Sequence, residues 1–188
     1  MKPPVFIDTS YILALVNTAD QYHERARAAA SQITPPFVTT EAVLTEIGNA
    51  LSKQPWRSLG IATLRNLRNA TDIQIVFEAD LFDRAVTFYS SRPDKEWGLT
   101  DCISFVVMQE RGLSQVLTTD HHFEQAGFQI VIQSYALRYS RTSTPSYRTF
   151  SYSCRFAPQG IVASRPILAV RVFWPGTCAA EGSSDEPG

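Results

Sequence analysis

The chain has 188 residues, of which 44% are hydrophobic, and its 17 Lys and Arg against 18 Asp and Glu give a formal net charge of -1. This composition predicts one compact domain with a substantial core and excludes an overall basic field for polyanions. The cysteines, Cys102, Cys154 and Cys178, have no paired spacing, which argues against a disulfide framework or a zinc site. Without an apolar leader or a membrane-length apolar run, we expect a soluble protein of the reducing cytoplasm.

The first candidate element is the segment VFIDTS at residues 5–10, in which a short apolar run is followed directly by an acid. Val5, Phe6 and Ile7 are bulky and do not alternate with polar residues, a pattern typical of a parallel strand buried on both faces. Asp8 follows at the carboxyl end of this strand, where open α/β sheets place their ligand crevice. The alternative is that Asp8 only caps the helix that follows.

Helices and strands then alternate as far as about residue 131. Residues 9–33 are predicted to form two helices with a turn at 17–20, and 37–39 a strand followed by a helix that Thr39 or Thr40 caps. The remaining predicted elements are a helix in 58–70, a strand at 73–77, a helix in 79–92, a helix in 98–112 with a Thr100 cap and a Gly112 stop, and strands at 114–120 and 127–131. This order predicts a three-layer α/β/α domain around a central parallel sheet of four to five strands.

The composition changes at about residue 134. Residues 134–188 are rich in Ser, Arg, Thr and Pro, contain no lysine, and have no acidic residue before Glu181. Two hypotheses are a basic arm that touches nucleic acid and out-of-frame translation beyond the natural end of the gene. The second is favoured, because a selected basic arm would use lysine too and would not carry scattered bulky aliphatic residues. We therefore predict a domain over 1–133 and an irregular tail, disordered or out of frame, over 134–188.

Three more acids are candidates for a site with Asp8. Glu46 follows Val43 by three residues in an amphipathic helix, so it should lie on or beside the buried face, where an unpaired carboxylate costs several kcal/mol. Asp101 lies in the first turn of a strongly apolar helix, for which stabilisation by the helix dipole, about 0.3 to 1 kcal/mol, is the alternative reason. Asp120 follows an apolar run at the carboxyl end of a strand, as Asp8 does.

A doubly wound sheet would bring these four acids together at one edge. Converging carboxylates repel one another unless a cation lies between them. Oxygen ligands select hard ions, so Mg²⁺ or Mn²⁺ is expected rather than zinc. Such an ion is a Lewis acid and a source of hydroxide for attack on a phosphodiester.

Four sequence blocks, in this order, resemble the PIN-domain ribonucleases and in particular the VapC-type toxins of toxin–antitoxin pairs. Between about residues 5 and 131 they are FIDTSYILALVNTADQYHERA, TTEAVLTEIGNAL, GLTDCISFVVMQERG and VLTTDHHFEQAGF. The resemblance implies a metal-dependent endoribonuclease that cleaves single-stranded RNA with a metal-activated water. It implies Asp8, Glu46, Asp101 and Asp120 as the catalytic and metal-binding set, with Asp or Asn allowed at the fourth position. It also implies a homodimer and a cognate antitoxin that blocks the acidic pocket.

Three hydroxyl residues are candidates for supporting the acids. Thr9 or Ser10 would orient a phosphate or water beside Asp8, although capping of the helix explains both and is favoured. Ser104 lies one turn beyond Asp101 on nearly the same face, so its hydroxyl would hydrogen-bond a ligand carboxylate.

Two pairs of basic or imidazole side chains have competing explanations. His121 and His122 are assigned to packing at the entry of a helix, because an oxygen-rich magnesium site does not need imidazole. Arg65 and Arg68 share a helix face and would meet RNA phosphates, although solvated arginines are the common alternative.

Two rival functions remain at this point. A non-catalytic RNA-binding PIN-like module would keep the fold without the chemistry, and the intact acid set argues against it. A phosphotransfer or phosphatase domain would phosphorylate the aspartate at the strand end. For that function DTS lacks a second aspartate two residues on, and no lysine follows a late strand.

Overall fold

The computed structural model describes residues 2–34 and 36–132, so the predicted tail at 134–188 lies outside the described residues. The strands are β1 (Val5–Ile7), β2 (Phe37–Thr40), β3 (Ile73–Val76), β4 (Gln115–Leu117) and β5 (Gln129–Ile130). The helices are α1 (Thr9–Val16), α2 (His23–Gln32), α3 (Glu41–Ala50), α4 (Arg57–Asn69), α5 (Leu81–Ser90), α6 (Leu99–Glu110) and α7 (His122–Gln125). No helix in this part of the chain is long and apolar enough to cross a membrane.

The five strands form one sheet in the order β3-β2-β1-β4-β5, and every pairing is parallel. Strand β1 is central, because Phe6 pairs with Val38 on one side and with Val116 on the other. Phe6 is fully buried, as expected for a strand covered on both faces. The predicted parallel α/β sheet flanked by helices is confirmed.

The side of the sheet on which successive strands are added changes between β1 and β4. From β1 the connections lead outward through β2 to β3, whereas β4 leads to β5 on the other side. Right-handed crossovers therefore place α1 to α4 on one face and α5 to α7 on the other. The carboxyl ends of β1 and β4 flank a topological switch point, the position at which open α/β sheets bind ligands.

Helix α3 follows β2 as predicted, but one of its side chains is not where the periodicity placed it. Thr40 is the N-cap, and its Oγ1 accepts a 3.2 Å hydrogen bond from the Val43 N–H, whereas the Thr39 hydroxyl bonds to the Ile7 carbonyl. Glu46 is exposed, so its predicted position on or beside the buried face is wrong. The reason is that the buried face of α3 is narrow and follows Val43, Leu44 and Ile47.

Helix α6 begins two residues earlier than the predicted cap implies. Its N-cap is Gly98 and its first residue is Leu99, so the predicted cap at Thr100 is wrong. The Asp101 carboxylate accepts a 2.9 Å hydrogen bond from the Gly98 N–H, which satisfies a free amide at the helix start. The predicted stop is confirmed, because Gly112 has a φ of +63°, a left-handed conformation that favours glycine.

Candidate active site

Asp8 lies directly after β1 and is the N-cap of α1. Its Oδ2 accepts hydrogen bonds from the Ser10 N–H at 3.2 Å and from the Ser10 hydroxyl at 2.7 Å. The capping interpretation of Asp8 therefore holds, and Asp8, not Thr9 or Ser10, is the cap. A cap at a helix start is normally in water, however, and Asp8 is only 4% exposed.

Burial makes the Asp8 carboxyl unusually hard to ionise. It raises the pKa of Asp8 from 3.8 to about 6, although hydrogen bonds from Thr118 and Ser10 oppose the shift. No lysine or arginine forms an ion pair with this carboxyl in the described part of the chain. A buried acid with hydroxyl partners and no cation is costly at neutral pH.

Thr118 joins the end of β4 to the end of β1. Its Oγ1 donates a 2.7 Å hydrogen bond to Asp8 Oδ2 and accepts one of 2.9 Å from the Asp120 N–H. The Ser10 hydroxyl lies 2.9 Å from Thr118 Oγ1 and accepts a 2.9 Å hydrogen bond from the Thr119 N–H. Thr118 is fully buried, so it holds two of the predicted site acids from inside the domain.

Asp101 and Asp120 meet at the side chain of His122. The His122 Nδ1 lies 3.4 Å from Asp101 Oδ2 and 3.4 Å from Asp120 Oδ2, and the His122 N–H donates to Asp120 Oδ1 at 2.9 Å. Burial, followed by the nearby Asp120 charge, raises the pKa of Asp101. The assignment of His122 to packing is therefore wrong, because its ring contacts two carboxylates.

Glu46 reaches the same region through α1. The Thr9 hydroxyl donates a 2.7 Å hydrogen bond to Glu46 Oε2. Thr9 is buried and follows Asp8 in the chain, so this contact fixes an exposed carboxylate of α3 beside the start of α1. The four predicted acids thus belong to one connected set: Asp8 to Asp120 through Thr118, Asp120 to Asp101 through His122, and Asp8 to Glu46 through Thr9.

Other predicted site residues lie apart from these contacts. The Ser104 hydroxyl donates to the Thr100 carbonyl at 2.9 Å, so the expected hydrogen bond to a carboxylate is wrong. A serine inside a helix commonly bonds back to the carbonyl four residues earlier. Arg65 and Arg68 are exposed on α4 and contact none of the four acids within the described residues.

Sequence reasoning missed Thr118 and His122. A signal for Thr118 existed, because a hydroxyl residue stands within two positions of an acid in both DTS and TTD. That signal becomes specific only when β1 and β4 are known to be neighbours, since hydroxyls near strand ends are common caps.

The donor atoms of this region fit a divalent cation. Asp8 Oδ1 accepts no side-chain hydrogen bond in the described residues, and the acids have no Lys or Arg partner there. Carboxylate oxygens are the ligands that Mg²⁺ and Mn²⁺ prefer. Asp120, His121 and His122 each also offer one ligand atom within 4.8 Å of one another, so imidazole nitrogen is available at the same corner.

Comparison with known proteins gives a consistent family. The family model of the PIN domain matches residues 5–129. The 23S rRNA-specific endonuclease VapC20 from two strains of Mycobacterium tuberculosis is 28% identical over 125 residues, which span 66% of this chain and 95% of the relative. A crystal structure of Mycobacterium tuberculosis VapC20, described as a sarcin-ricin loop cleaving toxin, superposes with a TM-score of 0.63 at 27% identity over 66% of this chain and 96% of that one. The resemblance to VapC-type proteins is thereby confirmed, and the chain belongs to the PIN-domain family.

Proposed function

We propose that this protein is an endoribonuclease that needs Mg²⁺ or Mn²⁺, cleaves single-stranded RNA and serves as the toxin of a toxin–antitoxin pair. The observation that carries the proposal is the connected set of four acids at the switch point between β1 and β4, without a lysine or arginine partner among the described residues. Such a set is costly for a domain that binds no cation. The named activity of VapC20 supports RNA as the substrate class.

In this proposal Asp8, Asp101 and Asp120 hold the cation. When bound there, Mg²⁺ or Mn²⁺ would supply Lewis-acid charge and lower the pKa of water. Thr118 and Ser10 orient the Asp8 carboxyl through their hydroxyls. In-line attack by water on phosphorus, with no protein nucleophile, would break the bond to the 3′ oxygen. That oxygen would leave with a proton from solvent, so the products would carry a 5′-phosphate and a 3′-hydroxyl.

Glu46 has a different role, because it is the exposed member of the set. Its carboxylate reaches solvent while Thr9 holds one of its oxygens. We assign Glu46 to accept the proton that the attacking water releases. Glu46 also contributes to cation binding in this proposal. A group that passes protons to solvent must be open to solvent, which Asp8 is not.

The partners are proposed on the same basis. VapC-type toxins pair with antitoxin proteins, so we propose a cognate antitoxin that covers the acidic region, together with a homodimer of this chain. The cytoplasm is the proposed compartment, where RNA is the available substrate and where Cys102, buried and without a disulfide partner among the described residues, would stay reduced.

The test is RNA cleavage by the full chain with defined ions. Purified protein is incubated with labelled single-stranded RNA in Mg²⁺, Mn²⁺, Ca²⁺ or EDTA, beside Asp101→Asn prepared identically. Cleavage is expected in Mg²⁺ and Mn²⁺ only, because Ca²⁺ prefers more ligands at longer distances. Cleavage that persists in EDTA, or equally in Asp101→Asn, would contradict the proposal.

A further inference from the structure

The basic residues of the domain are unevenly distributed. The described residues contain 11 Lys and Arg against 15 Asp and Glu, a net charge of -4. Residues 47–71 nevertheless contain four of the basic residues and no acid. Three of the four, Arg57, Arg65 and Arg68, belong to α4. A local positive surface is therefore present on a domain that is acidic as a whole.

The arginines of α4 lie along one line of the helix. Arg57, Ile61, Arg65 and Arg68 are spaced by four, four and three residues, which places them in one stripe. All four are exposed, and Ile61 is 47% exposed. At a rise of about 1.5 Å per residue the stripe is roughly 16 Å long. The buried residues Gly60, Thr63 and Leu67 lie on the other side of α4.

Within the part of the chain that the structure describes, no acid neutralises the charges of this stripe. Elsewhere in the domain five basic residues lie within 4.0 Å of a carboxylate, namely Arg27, Arg84, Arg92, Lys95 and Arg111. Within the described residues, Arg57, Arg65 and Arg68 have no acidic partner, and Arg57 bonds only to the Ser52 carbonyl, at 2.8 Å. Like charges on successive turns of a helix repel each other, so this arrangement costs stability unless a polyanion binds it.

The stripe lies next to the helix that carries Glu46. Helices α3 and α4 pack closely at two glycines. A Cβ added at Gly48 would lie 3.3 Å from Leu64 Cδ1, and a Cβ added at Gly60 would lie 2.9 Å from Leu51 Cβ. Because the pairs run in opposite directions along the chain, the two helices are antiparallel. Continuing this register places Arg65 and Arg68 level with the middle of α3, the part that contains Glu46.

We propose that the arginine stripe of Arg57, Arg65 and Arg68 binds phosphates of the RNA substrate and leads the strand across α3 to the acidic site. The inference rests on the proposed function. Single-stranded RNA is the occupant that the charges favour, because its phosphates complement three unpaired guanidinium groups. A protein partner is less well matched, since the core of a protein interface is apolar and Ile61 is the one apolar residue of the stripe.

The experiment measures RNA binding without cleavage, using the full chain. Binding of a fluorescent single-stranded RNA is followed by anisotropy in EDTA at several salt concentrations for the parent and for Arg65→Gln/Arg68→Gln. Glutamine and arginine have similar helix propensities, so α4 should keep its structure. Each lost phosphate contact should reduce the salt slope of log Kd by about 0.7, and affinity at low salt should fall roughly tenfold.

Two further variants separate charge at the stripe from net charge and from structure. Lys2→Gln/Arg27→Gln removes two exposed positive charges outside α3 and α4, one before β1 and one in α2, and should leave affinity and slope near those of the parent. Arg65→Lys/Arg68→Lys keeps the charges and should keep the salt slope, an outcome that a purely structural role would not produce. Equal losses of RNA affinity in Arg65→Gln/Arg68→Gln and in Lys2→Gln/Arg27→Gln, or no loss in either, would overturn the proposal.

Cleavage in Mg²⁺ distinguishes this inference from the proposed function. If the stripe is a substrate surface, Arg65→Gln/Arg68→Gln should raise KM and leave kcat within about twofold, because the stripe is outside the acid set. If the parent cleaves and the variant has the parent's KM and salt slope, the surface is refuted while the nuclease stands. If the parent does not cleave yet the variant loses RNA binding, the nuclease is refuted while the surface stands.

Discussion

The Thr118 hydroxyl and the Asp8 carboxylate are 110 positions apart in the chain and 2.7 Å apart in space, joined by a buried hydrogen bond. Thr118 also receives the Asp120 N–H, so one side chain sets the positions of two acids that come from different strands. Its hydroxyl therefore helps to hold Asp8 and Asp120 in place at the switch point between β1 and β4, where we propose that a cation binds.

Replacing Thr118 by valine should weaken both stability and cation binding. The substitution keeps the shape but leaves Asp8 with one donor fewer and the Asp120 N–H without its acceptor, at a cost of about 1 to 3 kcal/mol. Mn²⁺ affinity, measured by calorimetry, should fall by about 10-fold or more, as for other residues that orient ligands. Thr118→Ser should recover most of both losses.

The matched control for that prediction is Thr63→Val on α4. Thr63 is 2% exposed, and its hydroxyl has no hydrogen-bond partner in the described residues. Its replacement by a methyl group breaks no hydrogen bond, so the melting temperature should equal or exceed that of the parent and Mn²⁺ affinity should stay close to the parent value. A Thr118→Val protein that behaves like Thr63→Val would show that the hydrogen bond to Asp8 does not matter for binding.

Asp8→Asn should stabilise the protein in EDTA at neutral pH. The pKa of about 6 in the folded state lies above the ordinary 3.8, so folding favours the protonated carboxyl. That stabilisation is complete below about pH 4 and is lost as the pH rises through 6, a difference on the order of 3 kcal/mol. Asparagine does not titrate and still caps α1, so its advantage over the parent should be present at pH 7 and absent near pH 4.

The same variant should have lost its response to the cation. Added Mg²⁺ should raise its melting temperature by less than that of the parent, because stabilisation by a ligand scales with affinity. The variant should also not cleave RNA. Thermal unfolding in EDTA and in several Mg²⁺ concentrations, beside a cleavage assay, measures all of these. A variant that is less stable than the parent at pH 7, equally stabilised by Mg²⁺ and still active would show that Asp8 is only a helix cap.

Glu46→Gln should separate chemistry from stability. Glu46 is exposed, so the loss of its charge should change the free energy of unfolding by no more than about 0.5 kcal/mol. Thr9 can still donate to the glutamine carbonyl oxygen, so the side chain should keep its place. Cleavage at saturating RNA should nevertheless be lost if Glu46 accepts the proton, and retention of kcat would remove that role.

Removal of residues 134–188 should leave folding and cleavage intact. The PIN-domain match ends at residue 129, and the described core closes with Phe128, Ile130 and Ile132. A cooperative thermal melt and RNA cleavage by the shortened chain are the expected results. Loss of the melt would show that the domain needs residues beyond 133.

A shorter chain that ends at Gly127 is the matched control for the truncation. It lacks Phe128 and all of β5, including buried side chains that pack into the core. Loss of these groups should cost several kcal/mol and abolish the melt. Separately, resequencing the gene near codon 132 tests whether the reading frame, shifted by one base there, ends after a few more codons.

The sequence by itself determined most of the fold and the identity of the acids. Short unbroken apolar runs followed by polar residues indicate buried parallel strands, and amphipathic segments between them indicate the covering helices. These patterns are local, so β1 and the strands near 37, 73, 115 and 129 were predictable without knowing their neighbours. Asp8 and Asp120 were also recognisable as site candidates, because each follows such a run at its carboxyl end.

The tertiary structure decided which side chains touch at the switch point and which carboxylates are buried. Strand periodicity does not say which strand lies beside β1, so the contact from Thr118 to Asp8 exists only because β4 occupies that position. Glu46 is exposed because only a narrow face of α3 is buried. The helical period of the sequence predicted a wider buried face. Desolvation depends on everything packed around a group, and for that reason the raised pKa of Asp8 is a property of the assembled sheet and not of the residues VFIDTS.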